Sequence, residues 1–299
     1  MSGDRDRPVV VGYDGSPSSS AALDEAAAEA LSLGLPLHIV HAYPWPIFYA
    51  TLANVPFRPG EWEPPPAVRA QLDAAAARLI GGHGGLTVRT LVMAGTGGPV
   101  LVDASVGAAL VVVGGRGIGG ITGVLTGSVA SYVASHAHCP VLVVRAAQSA
   151  LPEDGPVVVG VDGSASSLAA LRFACEWAAR RGAAVEVITA EAAASPTGRA
   201  RLSTLAGSVR REHPSVAIRS SLVEGAASSA LLVASRSARL VVVGSRNLSG
   251  VASLVHGSVG HDLIRHSACP VAVVHDGAPS SGRNADDLVG GNTGAPRPT

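Results

Sequence analysis

PVVVGYDGS at Pro8–Ser16 returns as PVVVGVDGS at Pro156–Ser164. A run of valines closed by glycine reads as a strand buried on both faces, and the Asp-Gly-Ser behind it as a tight turn. Two further blocks recur in the same order. LVVVG stands at Leu110–Gly114 and Leu240–Gly244; CPVLVVR at Cys139–Arg145 is matched by CPVAVVH at Cys269–His275. The chain of 299 residues is therefore one domain written twice, in keeping with about 150 residues per domain.

The copies lie 148 residues apart at the first block and 130 apart at the later ones, so the first half carries about eighteen extra residues. They fall in Tyr43–Pro66, which holds Trp45, Phe48, Tyr49, Phe57 and Trp62, most of the aromatics of the chain. A loop this long is either a cover over the sheet edge or a lid or partner surface. The organisation read from the sequence is a first domain at 1–147 with its insertion at 43–66, a linker at 148–155, and a second domain at 156–276. A tail at 277–299, rich in Gly, Pro, Ser, Asn and Asp, is expected to be disordered.

Within each half, strand and helix patterns alternate. Strands are predicted at Val9–Gly12, Leu37–Ala42, Thr87–Val92, Leu110–Gly114 and Val141–Arg145, and again at Val157–Val161, Ala184–Thr189, Val216–Leu222, Leu240–Gly244 and Val271–His275. Helices are predicted in the first half at Ser16–Leu33, Ala67–Gly81, Pro99–Val106 and Gly127–His136. Strands alternating with helices imply right-handed crossovers and a parallel sheet, so each half is an α/β, doubly wound, five-stranded domain.

Composition narrows the chemistry. Every basic residue is Arg, which excludes a P-loop lysine or a Schiff base. A net charge of +0 gives no field to recruit nucleic acid or anionic lipid. Cys139, Cys175 and Cys269 are far apart in sequence and read as buried apolar residues in a reducing compartment. The charged opening MSGDRDRP has no apolar core of a leader, and no apolar run approaches the roughly 20 residues of a membrane span. The expectation is a soluble, cytoplasmic protein.

In doubly wound sheets ligands sit beyond the C-terminal ends of strands, where the strand order reverses. Behind the fourth strand of the first half stands GGRGIGGITGVLTGSVA, Gly114–Ala130. Glycines let backbone approach a phosphate, and the helix that starts near Gly127-Ser128 offers free N–H groups and a positive dipole end. The hydroxyl of Ser128 adds a donor and Arg116 a countercharge. Gly115, Gly117 and Gly120 also match GxGxxG, but after the fourth strand rather than the first, which argues against a dinucleotide fingerprint.

The spacing Gly114-x2-Gly117-x9-Gly127-Ser128, together with VVGYDGS, VVGVDGS, CPVLVV and CPVAVV, resembles the universal stress protein family in its tandem, actinobacterial form. The resemblance spans about Pro8–Arg145 and Pro156–His275. It implies a strand order 3-2-1-4-5 in each domain, pairing through the fifth strands, and ATP as ligand, with Mg²⁺ bridging phosphates. It implies an ATP-binding regulator of growth and stress survival rather than an enzyme, either a homodimer or an intramolecular pseudo-dimer. Asp14 matches the acid at the nucleoside, Ala42 the backbone at the adenine edge and Gly12 the turn beside the ribose. Gly114, Arg116, Gly117, Gly120, Gly127, Ser128 and Val129 match the phosphate loop and helix start. In the second half the matching positions are Gly160, Asp162, Ala190, Gly244, Arg246, Asn247, Gly250, Gly257, Ser258 and Val259. Asn247 departs from the pattern, placing a side chain where Gly117 has none. A slow ATPase and an interaction module without nucleotide remain rival readings.

Other signals have plainer explanations. Asp14 and Asp162 also suit an Asx turn, and the serines behind them suit helix caps. His136, His138 and Cys139 cluster in sequence, but Ala268 breaks the pattern in the second copy, which favours a helix end over a metal site.

Overall fold

The chain leaves β1 (Val9–Gly12) through Asp14-Gly15-Ser16, and Ser16 ends the turn by capping the next helix. Its Oγ accepts from Ser19 N at 3.1 Å, and Pro17 begins α1 (Pro17–Leu33) where a missing N–H is harmless. Gly34, at φ 66°, closes α1 in the left-handed conformation that glycine adopts without penalty. The second half repeats this locally. β6 (Val157–Gly160) leads to Ser164, which caps α5 (Ala165–Arg181), and Gly182 at φ 63° ends it.

The computed structural model describes residues 7–43, 64–115, 127–145, 154–190, 207, 209–245 and 259–275. The remaining elements of the first lobe are β2 (Leu37–Tyr43), α2 (Pro66–Gly82), β3 (Val88–Ala94), α3 (Gly97–Ser105), β4 (Leu110–Gly114), α4 (Ser128–His136) and β5 (Val141–Val144). Those of the second lobe are β7 (Val185–Ala190), β8 (Ile218–Val223), α6 (Ala227–Ala234), β9 (Leu240–Ser245), α7 (Val259–His266) and β10 (Val271–His275). Most of the 43–66 insertion, most of the linker and the tail beyond 275 lie outside the described residues.

Each lobe has the expected order 3-2-1-4-5, and the two join into one ten-stranded sheet, β3-β2-β1-β4-β5-β10-β9-β6-β7-β8. Pairing is parallel within the lobes. The seam alone is antiparallel, with Val271 opposite Val143, Ala272 opposite Leu142 and Val273 opposite Val141. Side chains alternate across the seam. Leu142, Val144, Ala272 and Val274 enter the core under α1, α2 and α5, whereas Val141, Val143, Val271 and Val273 enter the core under α3, α4, α6 and α7. Each face of the sheet thus carries one hydrophobic layer that runs through both lobes.

Equivalent positions meet where the lobes face each other. Glu29 of α1 and Trp177 of α5 are separated by the repeat offset of 148, and Trp177 Nε1 donates to Glu29 Oε1 at 2.6 Å. Arg180 and Ser32 share that offset and lie 3.1 Å apart. Glu29 is 1% exposed and takes a second bond from Arg181 at 2.9 Å, while the Arg181 guanidinium stacks over Trp177 at 4.1 Å. The buried carboxylate is therefore held by an indole and a guanidinium from the other lobe. Burial, and then the Glu29 charge, push the neighbouring Glu25 carboxyl above its ordinary value.

Glu29→Ala leaves the buried indole N–H without its acceptor and takes from Arg181 the nearer of its two carboxylates, Glu25 standing at 4.0 Å. We expect a loss of about 3 kcal/mol in urea unfolding, the scale for breaking a buried pair from one side. A loss under about 1 kcal/mol would show that the lobes are held by the sheet seam alone.

Candidate functional site: the C-terminal edge of each lobe

β1 and β4 lie side by side, and the chain leaves them in opposite directions across the sheet, to β2 on one side and β5 on the other. The strand order reverses between them, so Asp14 behind β1 and Gly114–Gly115 at the end of β4 share one crevice. The same juxtaposition recurs in the second lobe between β6 and β9, with Asp162 and Gly244.

Asp14 is held by its own turn. Its Oδ1 accepts from Ser16 N at 3.0 Å, and its backbone N–H faces Ser19 Oγ at 3.4 Å. Gly15 takes φ 81°, which lets the chain reverse beneath the carboxylate. In the second lobe Asp162 Oδ1 accepts from Ser164 N at 3.0 Å and from Ser164 Oγ at 2.6 Å, with Gly163 at φ 83°. The Asx turn and the candidate ligand role are compatible: the turn fixes the carboxylate at the sheet edge.

The glycines at the strand ends have a packing cause that motif spacing does not reveal. A Cβ on Gly114 would stand 2.7 Å from the carbonyl carbon of Ser18, and one on Gly244 would stand 2.4 Å from that of Ser166. The first turns of α1 and α5 are seated directly on the ends of β4 and β9. Gly12 and Gly160 are likewise pressed by Leu101 and Leu231, at 2.7 and 2.9 Å from the added carbon. The sequence expectation assigned these four glycines to the ligand alone; the backbone of the neighbouring helix requires two of them in any case.

Ahead of α4, Gly127 adopts an extended conformation and its N–H donates to Gly115 O at 2.9 Å, which pins the two ends of the loop together. The first bond of the helix runs from Ser131 N to Gly127 O. The amides of Ser128, Val129 and Ala130 precede it, and no described side chain caps them. Ser128 and Val129 are exposed. Ala42 is the penultimate residue of β2, one short of the strand end, and Ala190 ends β7. Val259 is the first residue of α7. Arg116, Gly117, Gly120, Arg246, Asn247, Gly250, Gly257 and Ser258 lie outside the described residues.

The rival signals resolve in the structure. His136 stacks on Tyr132 with ring centroids 4.3 Å apart and sets Nδ1 2.8 Å from Tyr132 O. Among the described residues no group of three or more His, Cys, Asp or Glu could hold a metal ion. All three cysteines are buried and free; burial pushes Cys139 up to about 12 and Cys175 and Cys269 up to about 11, so each is a neutral thiol at pH 7 rather than a nucleophile. Among the described residues no helix is long and apolar enough to cross a membrane.

Both lobes match the universal stress protein family, over residues 7–145 and again over 155–275. The chain belongs to that family. It is similar to the universal stress protein Rv2623 of Mycobacterium tuberculosis, with 34% identity, 92% of this chain and 98% of that one being covered. The universal stress protein Rv2005c of the same organism is 30% identical, over 89% of this chain and 96% of its own. A crystal structure of a universal stress protein from Archaeoglobus fulgidus shares the fold, with a TM-score of 0.66 at 17% identity over 93% of this chain and all of that one. The universal stress protein assignment and the tandem architecture thus agree with what the repeated motifs imply.

Gly114→Ala drives a methyl into the backbone of the first α1 turn, which must shift. We expect a stability loss of about 1–3 kcal/mol in thermal or urea unfolding, as for overpacked sites. Gly81→Ala, whose added carbon meets open space, is expected to change stability by under about 1 kcal/mol. Equal behaviour of the two variants would refute the seating of α1 on β4.

Proposed function

We propose that this universal stress protein binds ATP at the edge of its first lobe, and at the second lobe through the equivalent edge, as a signal rather than as fuel. The observation that carries the reading is the exposed start of α4, which no described side chain caps and which the Gly127 N–H ties to Gly115, at the edge where β4 lies beside β1. Amides that precede the first helical bond, with the positive end of the helix dipole, suit an anion. The amides of Ser128 and Val129 would hold phosphate oxygens, with Arg116 supplying countercharge. The Asp14 carboxylate would meet the nucleoside, and Ala42 the adenine edge. Mg²⁺ would be held by the phosphates and water, in line with the lack of a carboxylate cluster among the described residues.

Regulation rather than catalysis is the better reading because the described part of the edge presents no base or nucleophile tuned for transfer. Asp14 is bound into its turn, and the cysteines are buried as thiols. Occupancy would then favour one arrangement of loop and helix that a partner protein reads, in the cytoplasm.

Calorimetric titration with MgATP tests this. Binding is expected in the wild type, weakened about tenfold or more by Asp14→Ala with the melting temperature kept, the scale of a lost hydrogen bond to a charged group. No heat at any concentration, or ADP release at about 1 s⁻¹ or faster, would overturn the reading.

A further inference from the structure

The last strands end in basic residues, and each reaches across to the other lobe. Arg145, directly after β5, donates through Nη1 to Ser267 O at 3.2 Å and through Nη2 to Ile264 O at 2.6 Å and to Arg265 O. These carbonyls belong to the C-terminal turn of α7 and the residue behind it. His275, at the end of β10, sets Nε2 3.0 Å from Ala134 O and Nδ1 3.2 Å from Cys139 O, at the C-terminal turn of α4 and the loop that follows. Arg145 and His275 are equivalent positions in the repeat, 130 residues apart, and so are Ile264 and Ala134. The two braces are related by the internal pseudo-symmetry, yet one is a permanent cation and the other a titratable ring.

Both helices start at a candidate phosphate site. α4 begins directly after Gly127 and α7 at Val259, so each brace grips the tail of a helix whose head would meet the anion. A positive group at the C-terminal carbonyls complements the same dipole that attracts the anion at the other end. We propose that Arg145 and His275 are cross-lobe positioning residues for the phosphate-binding helices, and that the brace on α4 is complete only when His275 is protonated. The proposal rests on the nucleotide reading above.

The hydrogen-bond inventory supplies the reason. Both imidazole nitrogens face carbonyl oxygens, and a carbonyl only accepts. A neutral ring carries one N–H, so one carbonyl then meets a lone pair; an imidazolium donates to both. Burial favours the neutral ring and holds the His275 value below its ordinary one. The two carbonyls act in the opposite sense, and the charges of His138 and His136 add to the lowering. Among the described residues, its neighbours in register are Ser245 on β9 and Cys139 behind α4, whose thiol is neutral and feels the charge of Arg7. An anion at the head of α4 favours the imidazolium at its tail, so by linkage protonation tightens phosphate binding in the first lobe. The sign follows: first-site affinity rises as pH falls through the His275 transition. The second site, braced by Arg145, gains nothing from acid by this route.

Site-resolved NMR titration with MgATP tests this on the full chain at pH 7.5 and 5.5, following the amides of Gly127 and Ser128 for the first site and Val259 for the second. Taking the ratio of the two affinities cancels the titration of the nucleotide itself. The ratio is expected to shift toward the first site by about two- to fivefold at pH 5.5, the span of a helix-terminus charge effect. His275→Arg should make the ratio flat with pH, and the exchange Arg145→His with His275→Arg should move the dependence to the second site. His275→Gln, which retains one donor and one acceptor, should also be flat, and serves if the arginine variant folds poorly. A pH-dependent ratio that survives these substitutions would overturn the brace while leaving nucleotide binding intact. No ATP response at any pH would overturn both. An unchanged ratio in the wild type refutes the titratable brace alone.

Discussion

The antiparallel pairing of β5 with β10 is the constraint on which the rest depends. Valines and leucines on either side of the seam feed two continuous hydrophobic layers, so the lobes cannot separate without opening both. The reversal also turns the second lobe end for end. The C-terminal edges of the parallel strands, where ligands bind in this architecture, then face opposite sides of the sheet. A helix that starts at one lobe's ligand edge runs antiparallel to its strands and finishes at the other lobe's edge. That is why the end of β10 meets the tail of α4, and the end of β5 the tail of α7.

A duplicated chain can do what a symmetric dimer cannot. In a two-fold dimer the residues on the axis meet their own copies. Here the facing equivalents have diverged into complements, Glu29 against Trp177 and Ser32 against Arg180. A glutamate facing a glutamate at that depth would bury like charges, whereas a glutamate facing an indole N–H and Arg181 is satisfied. The divergence therefore favours pairing within one chain. It uses the fifth-strand face internally, so any pairing of copies must use another surface. The same freedom put Arg145 in one copy where the other has His275, and Gly117 where the other has Asn247.

Much of this was legible in the sequence. The repeated blocks located the first, fourth and fifth strands of each half to within one residue, because a run of valines bounded by turn residues has one reading in an alternating chain, and the alternation itself placed the other four to within two. Ser16 and Ser164 were legible as caps. The site edge followed from topology, but its residues did not all carry the meaning that motif spacing suggests. Gly114 and Gly244 answer to the backbone of Ser18 and Ser166, a contact more than 70 residues distant in sequence. In sequence the buried Glu29 is one of three acids on α1, and no local pattern marks a carboxylate that will be matched by an indole on the other lobe. Arg145 and His275 stood in the quoted repeat; the sole trace of their role was that two basic residues occupy one position. Which carbonyls they reach depends on seam register, and sequence periodicity does not encode that.

The seating of α1 on the end of β4 also decides which helix is free to take an anion. Both α1 and α4 begin at the same edge, and a helix start is attractive to phosphate in either case. Two of the three positions that precede the first helical bond of α1 offer no amide to a ligand. Pro17 has no N–H, the Ser19 amide is taken by Ser16 Oγ, and the Ser20 amide bonds Ser16 O. The carboxylate of Asp14 stands beside this turn and repels a further negative charge. At α4 the capping residue is Gly127, which has no side chain to compete, and three amides precede the first helical bond. Serine at one cap and glycine at the other thus divide the labour. One helix start closes against the sheet and anchors the fold, and the other stays open toward the crevice that the first has shaped.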